Sequence, residues 1–200
     1  MIFDNRYVRP AATLRRLALP ALLLGAGSLG ACGDALTAKA TDQNVSQPFL
    51  LHALSGSQLP LATALFFPVR SVTRVDGSFA FDVAFDLNAQ GDVVLYPVNM
   101  VGQNPTGNRR VGILKPGMLY DAVTEAPKTG YMVDTATVIK TGETAVVQAQ
   151  ETACSLSLTP YYYAKLVVDS VSLPARVIYG RVMINTNCGF RQLIAGLPAF

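Results

Sequence analysis

The chain has 200 residues, of which 50% are hydrophobic and only 14% charged, with a formal charge of +3. Against the roughly 25% charge of an average globular chain, this composition excludes intrinsic disorder, a coiled coil and a nucleic-acid-binding tail, and the length fits one domain with a tail. A single histidine and no tryptophan exclude a multi-histidine metal site and leave little general-base chemistry. The charge is also uneven. Of the 16 basic residues, Arg6, Arg9, Arg15 and Arg16 precede residue 32; of the 13 acidic residues, only Asp4 does. From Cys32 onward 12 basic residues therefore face 12 acidic ones. A neutral body has no electrostatic footprint for DNA or RNA, so nucleic acid is not an expected partner.

The first element in chain order is a basic stretch over residues 6–16, followed by the apolar run Leu17–Leu29 and the small residues Gly30 and Ala31. As a helix, a run of about 13 residues spans roughly 20 Å, short of a hydrocarbon layer of about 30 Å. Pro20, Gly25 and Gly27 weaken it further as a permanent span. Basic, then apolar, then small is the order of a secretory signal, predicted here as a signal helix over residues 1–31. At its end, Leu29-Gly30-Ala31-Cys32 resembles the lipobox of bacterial lipoproteins. The resemblance implies that the Cys32 thiol is diacylglycerylated, that the signal is cut just before it, and that the new N-terminus is acylated. Each buried CH₂ adds about 0.8 kcal/mol, and more than one chain makes the anchor stable. Gly33 stands where family members kept in the inner membrane carry Asp, which implies the outer membrane, with the domain facing the periplasm or the surface. Arg15-Arg16 is followed by Leu17-Ala18-Leu19, a poor fit to the twin-arginine pattern, so general secretion is the expected route. The membrane is thus an expected partner, through the N-terminal lipid.

With Cys32 given to lipid, Cys154 and Cys188 remain as an even pair in an oxidising compartment. Neither lies in a CxxC motif or beside the histidine, which favours a disulfide over a metal site or a catalytic thiol. The bridge closes a loop of about 35 residues, worth roughly 3–4 kcal/mol in the chain-entropy model.

Residues 33–47 are small and polar without hydrophobic period, and residues 32–48 read as a flexible tether to a single β domain over 49–200. Strands are expected at 49–54 and 64–74. Phe79, Phe81, Val83, Phe85 and Leu87 alternate with Ala80, Asp82, Ala84 and Asp86, which predicts a strand with an aromatic core face and a wet face carrying Asp82 and Ala84. The turn Asn88–Gly91 and the return strand 92–98 complete a hairpin. Further strands are expected at 111–115, 131–140 and 143–151. A second hairpin joins 161–171 to 176–185 across Ser172–Ala175. Many short strands, with turns every 8–12 residues, predict an all-β fold: an antiparallel β-sandwich, or alternatively a small β-barrel. A transmembrane barrel fits poorly, because Gly196–Phe200 lacks alternation and Pro198 would interrupt a closing strand.

Candidate chemistry is sparse. Asp86, Asn88, Gln90 and Asp92, with Gly91 at the sixth position, resemble the start of an EF-hand calcium loop, but the twelfth position is Pro97 and the hairpin turn explains the same residues. No metal or cofactor is expected. His52 lies in the apolar run Phe49–Leu54. With no G-x-S-x-G, P-loop or H-E-x-x-H motif, no catalytic residue is assigned and a non-catalytic module is expected. A hydrolase would need carboxylates around His52. In Tyr161-Tyr162-Tyr163 the strand period turns Tyr162 to the core with Leu166 and Val168, and turns Tyr161 and Tyr163 outward beside Lys165. Exposed tyrosines suit sugar or protein surfaces. Arg109 and Arg110 close the polar loop 102–110. Tyr161, Tyr163, Arg109 and Arg110 are therefore the candidate ligand-binding residues, for an envelope protein or a glycan.

Overall fold

A computed structural model describes residues 39–102, 109–155, 157 and 159–199. The signal, the lipobox and Cys32 lie outside the described residues. Among those described, no helix is long and apolar enough to cross a membrane.

Among the described residues, ten strands form two antiparallel sheets. The first holds β1 (Ser46–His52), β10 (Val177–Asn185), β9 (Tyr161–Ser172), β8 (Thr144–Gln150) and β6 (Val111–Leu114), in that spatial order. The second holds β3 (Ser71–Thr73), β2 (Ala64–Phe66), β4 (Val83–Leu87), β5 (Val93–Pro97) and β7 (Thr137–Ile139). Both sheets contribute to one apolar core, with Leu51, Ile113, Leu166 and Ile178 from the first and Val83, Phe85, Leu95 and Ile139 from the second. Phe49 of β1 meets Phe85 of β4 with ring centroids 5.5 Å apart. This is a β-sandwich, neither sheet closing on itself. Phe49 fits over β10 because Gly180 lacks a side chain; a Cβ there would collide with the Phe49 ring and the Val167 carbonyl.

Both predicted hairpins form. In β4–β5, Asn88 Oδ1 accepts from the N–H groups of Gln90 (3.0 Å) and Asp92 (2.9 Å), and Gly91 takes φ +83°. Asp86 receives Ser55 Oγ and Arg176 Nη2. Two of the side chains that suggested a calcium loop, Asp86 and Asn88, therefore already serve the turn and its neighbours. In β9–β10, Tyr179 pairs with Ser170 and Gly180 with Val168, which leaves Asp169 as the extra residue of a bulge.

Several boundaries differ from the sequence expectation. The expected strand 64–74 is two strands folded back on each other, with Arg70 at φ +50° in the turn between them. The expected strand 131–140 contracts to β7, with Met132 making an isolated bridge to Ile113. Phe79 is not in the core: it stands 40% exposed, with the Arg74 guanidinium 4.1 Å above its ring. Asp82 and Ala84 do not face water, since both are fully buried. Ala84 lies between Ala64 and Tyr96 in the register, and Asp82 is held by an ion cluster described below. The domain also starts earlier than residue 49. Thr41 and Asp42 donate backbone N–H groups to Asn187 Oδ1, and Asn44 bridges Gly196.

The register sorts the loops into two poles. The start of β1, the end of β10, the β8–β9 connection and the start of β6 share one end. The predicted disulfide closes there: Cys154 and Cys188 are bonded, with Cα atoms 5.4 Å apart. Thr41 and Asp42, and with them the entry of the chain, lie at this same end.

Candidate functional site

The outer face of the first sheet carries Tyr161, Tyr163, Lys165 and Val167 of β9, beside Gln148 and Val146 of β8 and Met183 of β10. Strand alternation places them there, and Tyr162 packs on the core side as expected. This face is not open to solvent. Tyr163 and Lys165 are each only 3% exposed and Tyr161 is half-buried. The chain after β6 and the chain after β10 fold over it, laying Tyr120, Val123, Ala126 and Leu193 on Val146, Val167 and Met183 as a second apolar cluster.

Polar groups fasten this cover. Lys165 Nζ donates to the carbonyls of Tyr120 and Val123, both at 2.9 Å, and sits 4.5 Å from the Tyr120 ring centroid. Burial pulls the Lys165 ammonium below its ordinary value, and nearby Asp121 works against that. Asn185 Nδ2 donates to the carbonyls of Phe190 and Gln192. The two covering segments also bond each other, Leu193 N–H to the Thr124 carbonyl and Ala126 N–H to the Arg191 carbonyl.

Beside this joint the covering segments leave a cleft in two chambers. The larger, about 730 Å³, lies over Tyr163 between Thr124–Lys128 and Arg191–Ile194. The smaller, about 250 Å³, is lined by Arg110, Lys128, Tyr131, Gln148 and Tyr161. Lys128 borders both. A cluster of three tyrosines stands at the cleft, with the Tyr163 ring 6.5 Å from Tyr131 and 6.4 Å from Tyr161. Tyr131 donates its hydroxyl to the Pro127 carbonyl. Burial, and then Tyr163 beside it, pushes the Tyr131 phenol well above its ordinary value; burial, then Tyr161, raises Tyr163 as well. These phenols are neutral hydroxyls at physiological pH. Gly112 lets Tyr131 approach β6, since a Cβ there would lie 2.7 Å from the Tyr131 Cβ.

The cleft is basic. Arg191 is paired with Glu125, but its Nη1 is buried with no hydrogen-bond partner. Lys128 and Arg110 are exposed, and among the described residues neither meets a carboxylate. Arg110 and Tyr161 therefore sit together in the smaller chamber, with Tyr163 under the larger one. Sequence reasoning missed Lys128, Tyr131 and Arg191. The one signal for Arg191 was Cys188: a bridged cysteine three residues earlier draws the following segment back onto the domain.

Arg109 is placed elsewhere. Its guanidinium is 8% exposed and joins Asp82, Nε to Oδ1 at 2.6 Å, to Glu151, which accepts from Nη1. Asp82 Oδ2 also accepts the Phe67 N–H at 2.7 Å. This cluster ties β8 of one sheet to the approach of β4 in the other, a structural use of three charges. His52 has no carboxylate partner among the described residues, and none of their His, Cys, Asp and Glu side chains gather in a group of three fit for a metal.

No known protein family matches the chain, and neither a curated protein nor a solved structure is similar to it.

Proposed function

We propose that the chain is an exported lipoprotein, anchored in the outer membrane of the cell envelope through Cys32, whose β-sandwich binds rather than catalyses. The Cys154–Cys188 bridge carries the reading. Stable disulfides belong to oxidising compartments, the destination of a chain that opens with a basic, apolar, small-residue signal ending in Leu29-Gly30-Ala31-Cys32. The described part of the chain enters the sandwich at the disulfide pole, opposite the hairpin turns at Asn88–Gly91 and Ser172–Ala175. The buried carboxylates Asp82, Asp86 and Glu151 are each held by an arginine, which favours structural over proton-transfer roles for them.

The two-chambered cleft supports a more specific form of this reading, in which the module takes a small ligand or a glycan through Tyr161, Arg110 and their neighbours. The test of the anchor is intact-mass spectrometry with detergent phase partitioning. The mature protein should begin at an acylated Cys32 and enter the detergent phase, and Cys32→Ala should leave it unprocessed or water-soluble. An unacylated N-terminus downstream of residue 32 would refute the lipoprotein reading.

A further inference from the structure

The cleft concentrates positive charge in a body that is otherwise neutral. Lys128 borders both chambers, Arg110 stands in the smaller one, and Arg191 borders the larger. The carboxylate on the wall, Glu125, is already held by Arg191. With Arg191 neutralised by Glu125, the cations left to a ligand are Lys128 and Arg110, neither of which meets a carboxylate among the described residues. Cations in a concave, partly desolvated wall attract an anion more strongly than the same cations on open surface.

Shape and lining narrow the class. Two chambers that both border Lys128 suit an extended ligand, and the larger falls within the 300–1,000 Å³ range of small-molecule sites, as a cavity of about 730 Å³. Gln192 lines the larger chamber, its Oε1 accepting the Ala199 N–H, and Gln148 lines the smaller. Such side-chain amides donate to and accept from hydroxyls. The half-buried Tyr161 adds an amphipathic surface with an apolar ring and a polar tip. A ligand that is anionic, extended and rich in hydroxyls is an acidic oligosaccharide, in which carboxylates alternate with hydroxyl-bearing rings. An acidic peptide offers the charge without the hydroxyls.

We propose that this cleft binds a short acidic oligosaccharide, with one sugar carboxylate at Lys128 and the chain extending towards Arg110. The proposal rests on the reading of the domain as a binding module. Charge-assisted hydrogen bonds from Lys128 and Arg110 would supply most of the selectivity over neutral sugars. The dependence on salt should be marked, since both cations are exposed.

Isothermal titration calorimetry on the full-length, detergent-solubilised protein tests it, with trigalacturonate as the probe and maltotriose and triglutamate as controls. Trigalacturonate should bind, and each control should bind at least about tenfold more weakly. Lys128→Ala and Arg110→Ala should each weaken trigalacturonate by about tenfold or more while keeping the wild-type unfolding midpoint, because both side chains are exposed. Absence of trigalacturonate binding, a control that binds as tightly, or wild-type affinity in either variant would overturn the proposal. Phase partitioning of the same preparation reads the anchor separately: an acylated protein that ignores trigalacturonate loses only the ligand, and an unacylated protein that binds it loses only the anchor.

Discussion

Arg109→Met removes the one cation shared by two carboxylates that are almost out of contact with water, with side-chain exposures of 0% for Asp82 and 9% for Glu151. Methionine keeps much of the apolar stem, so the loss falls on the charge. Breaking a buried pair by deleting one partner costs about 3–5 kcal/mol, since a charge is left behind in a poor dielectric. In a domain of this size that lowers Tm by roughly 6–20 °C. The pH dependence identifies the cause. Burial holds the Asp82 carboxyl above its ordinary value in spite of Arg109, whereas for Glu151 the upward push of burial is outweighed by Arg109 and the Ala153 N–H, which hold it below. A raised acid binds its proton more tightly folded than unfolded, so the Asp82 contribution to stability improves as pH falls. The lowered acid does the reverse, and the Glu151 contribution is lost as pH falls through its folded value. Without Arg109 both carboxylates climb, so on acidification they take up protons sooner and cease to be stranded charges. Urea denaturation should therefore show a deficit of about 3–5 kcal/mol near pH 7 that narrows near pH 4. A cost under about 1 kcal/mol, the usual worth of an exposed pair, or a deficit independent of pH, would refute the account of the cluster as a buried staple.

Two more substitutions probe the frame. Cys154→Ser should lower stability by about 2–5 kcal/mol in urea, and non-reducing peptide mapping of the wild-type protein from the envelope should recover Cys154 joined to Cys188; two free thiols would contradict the bridge. Gly180→Ala should cost about 1–3 kcal/mol or more by overpacking, because the new methyl collides with the Phe49 ring and the Val167 carbonyl, and the loss should appear as a lower thermal midpoint.

The strands of the sandwich were legible wherever alternation and turn chemistry agreed. Asn88–Gly91 announces its turn because Asn supplies an acceptor to the following N–H groups and Gly accepts positive φ. Ser172–Ala175 separates two runs rich in Val, Ile and Tyr that pair along almost their whole length. The disulfide was legible from counting once the first cysteine was set aside. Legibility failed where a segment doubled back within a run of strand-like residues. Residues 64–74 hold Val69 and Val72 and read as one strand, yet Arg70 adopts φ +50° and folds the run into a hairpin. No local rule favours an arginine there; its N–H closes the turn on the Phe67 carbonyl, and its guanidinium donates to the remote Thr186 Oγ1.

The larger failure has one physical source. Alternation tells which residues share a face and is silent on what covers that face. Tyr161, Tyr163 and Lys165 were correctly placed together, opposite Tyr162, but an outward face was equated with a wet one. In the structure the wall over that face comes from residues 116–136 and 187–199, which have neither period and, apart from the start of the strand expected at 131–140, read as loops. They hold because groups that look like surface chemistry in the sequence are turned inward: an ammonium on two carbonyls at Lys165, an amide on two more at Asn185. The same error hid Asp82, whose alternation with Phe81 and Val83 is real while its far side is filled by Arg109. The cleft exists because the cover is incomplete. It opens beside the tyrosines where the two irregular segments part, and Lys128, Tyr131 and Arg191 reach it from those segments. A site whose floor lies on a strand and whose walls lie on loops is half readable by rule: period two locates the floor, and only the fold brings in the charges that give the floor a chemistry.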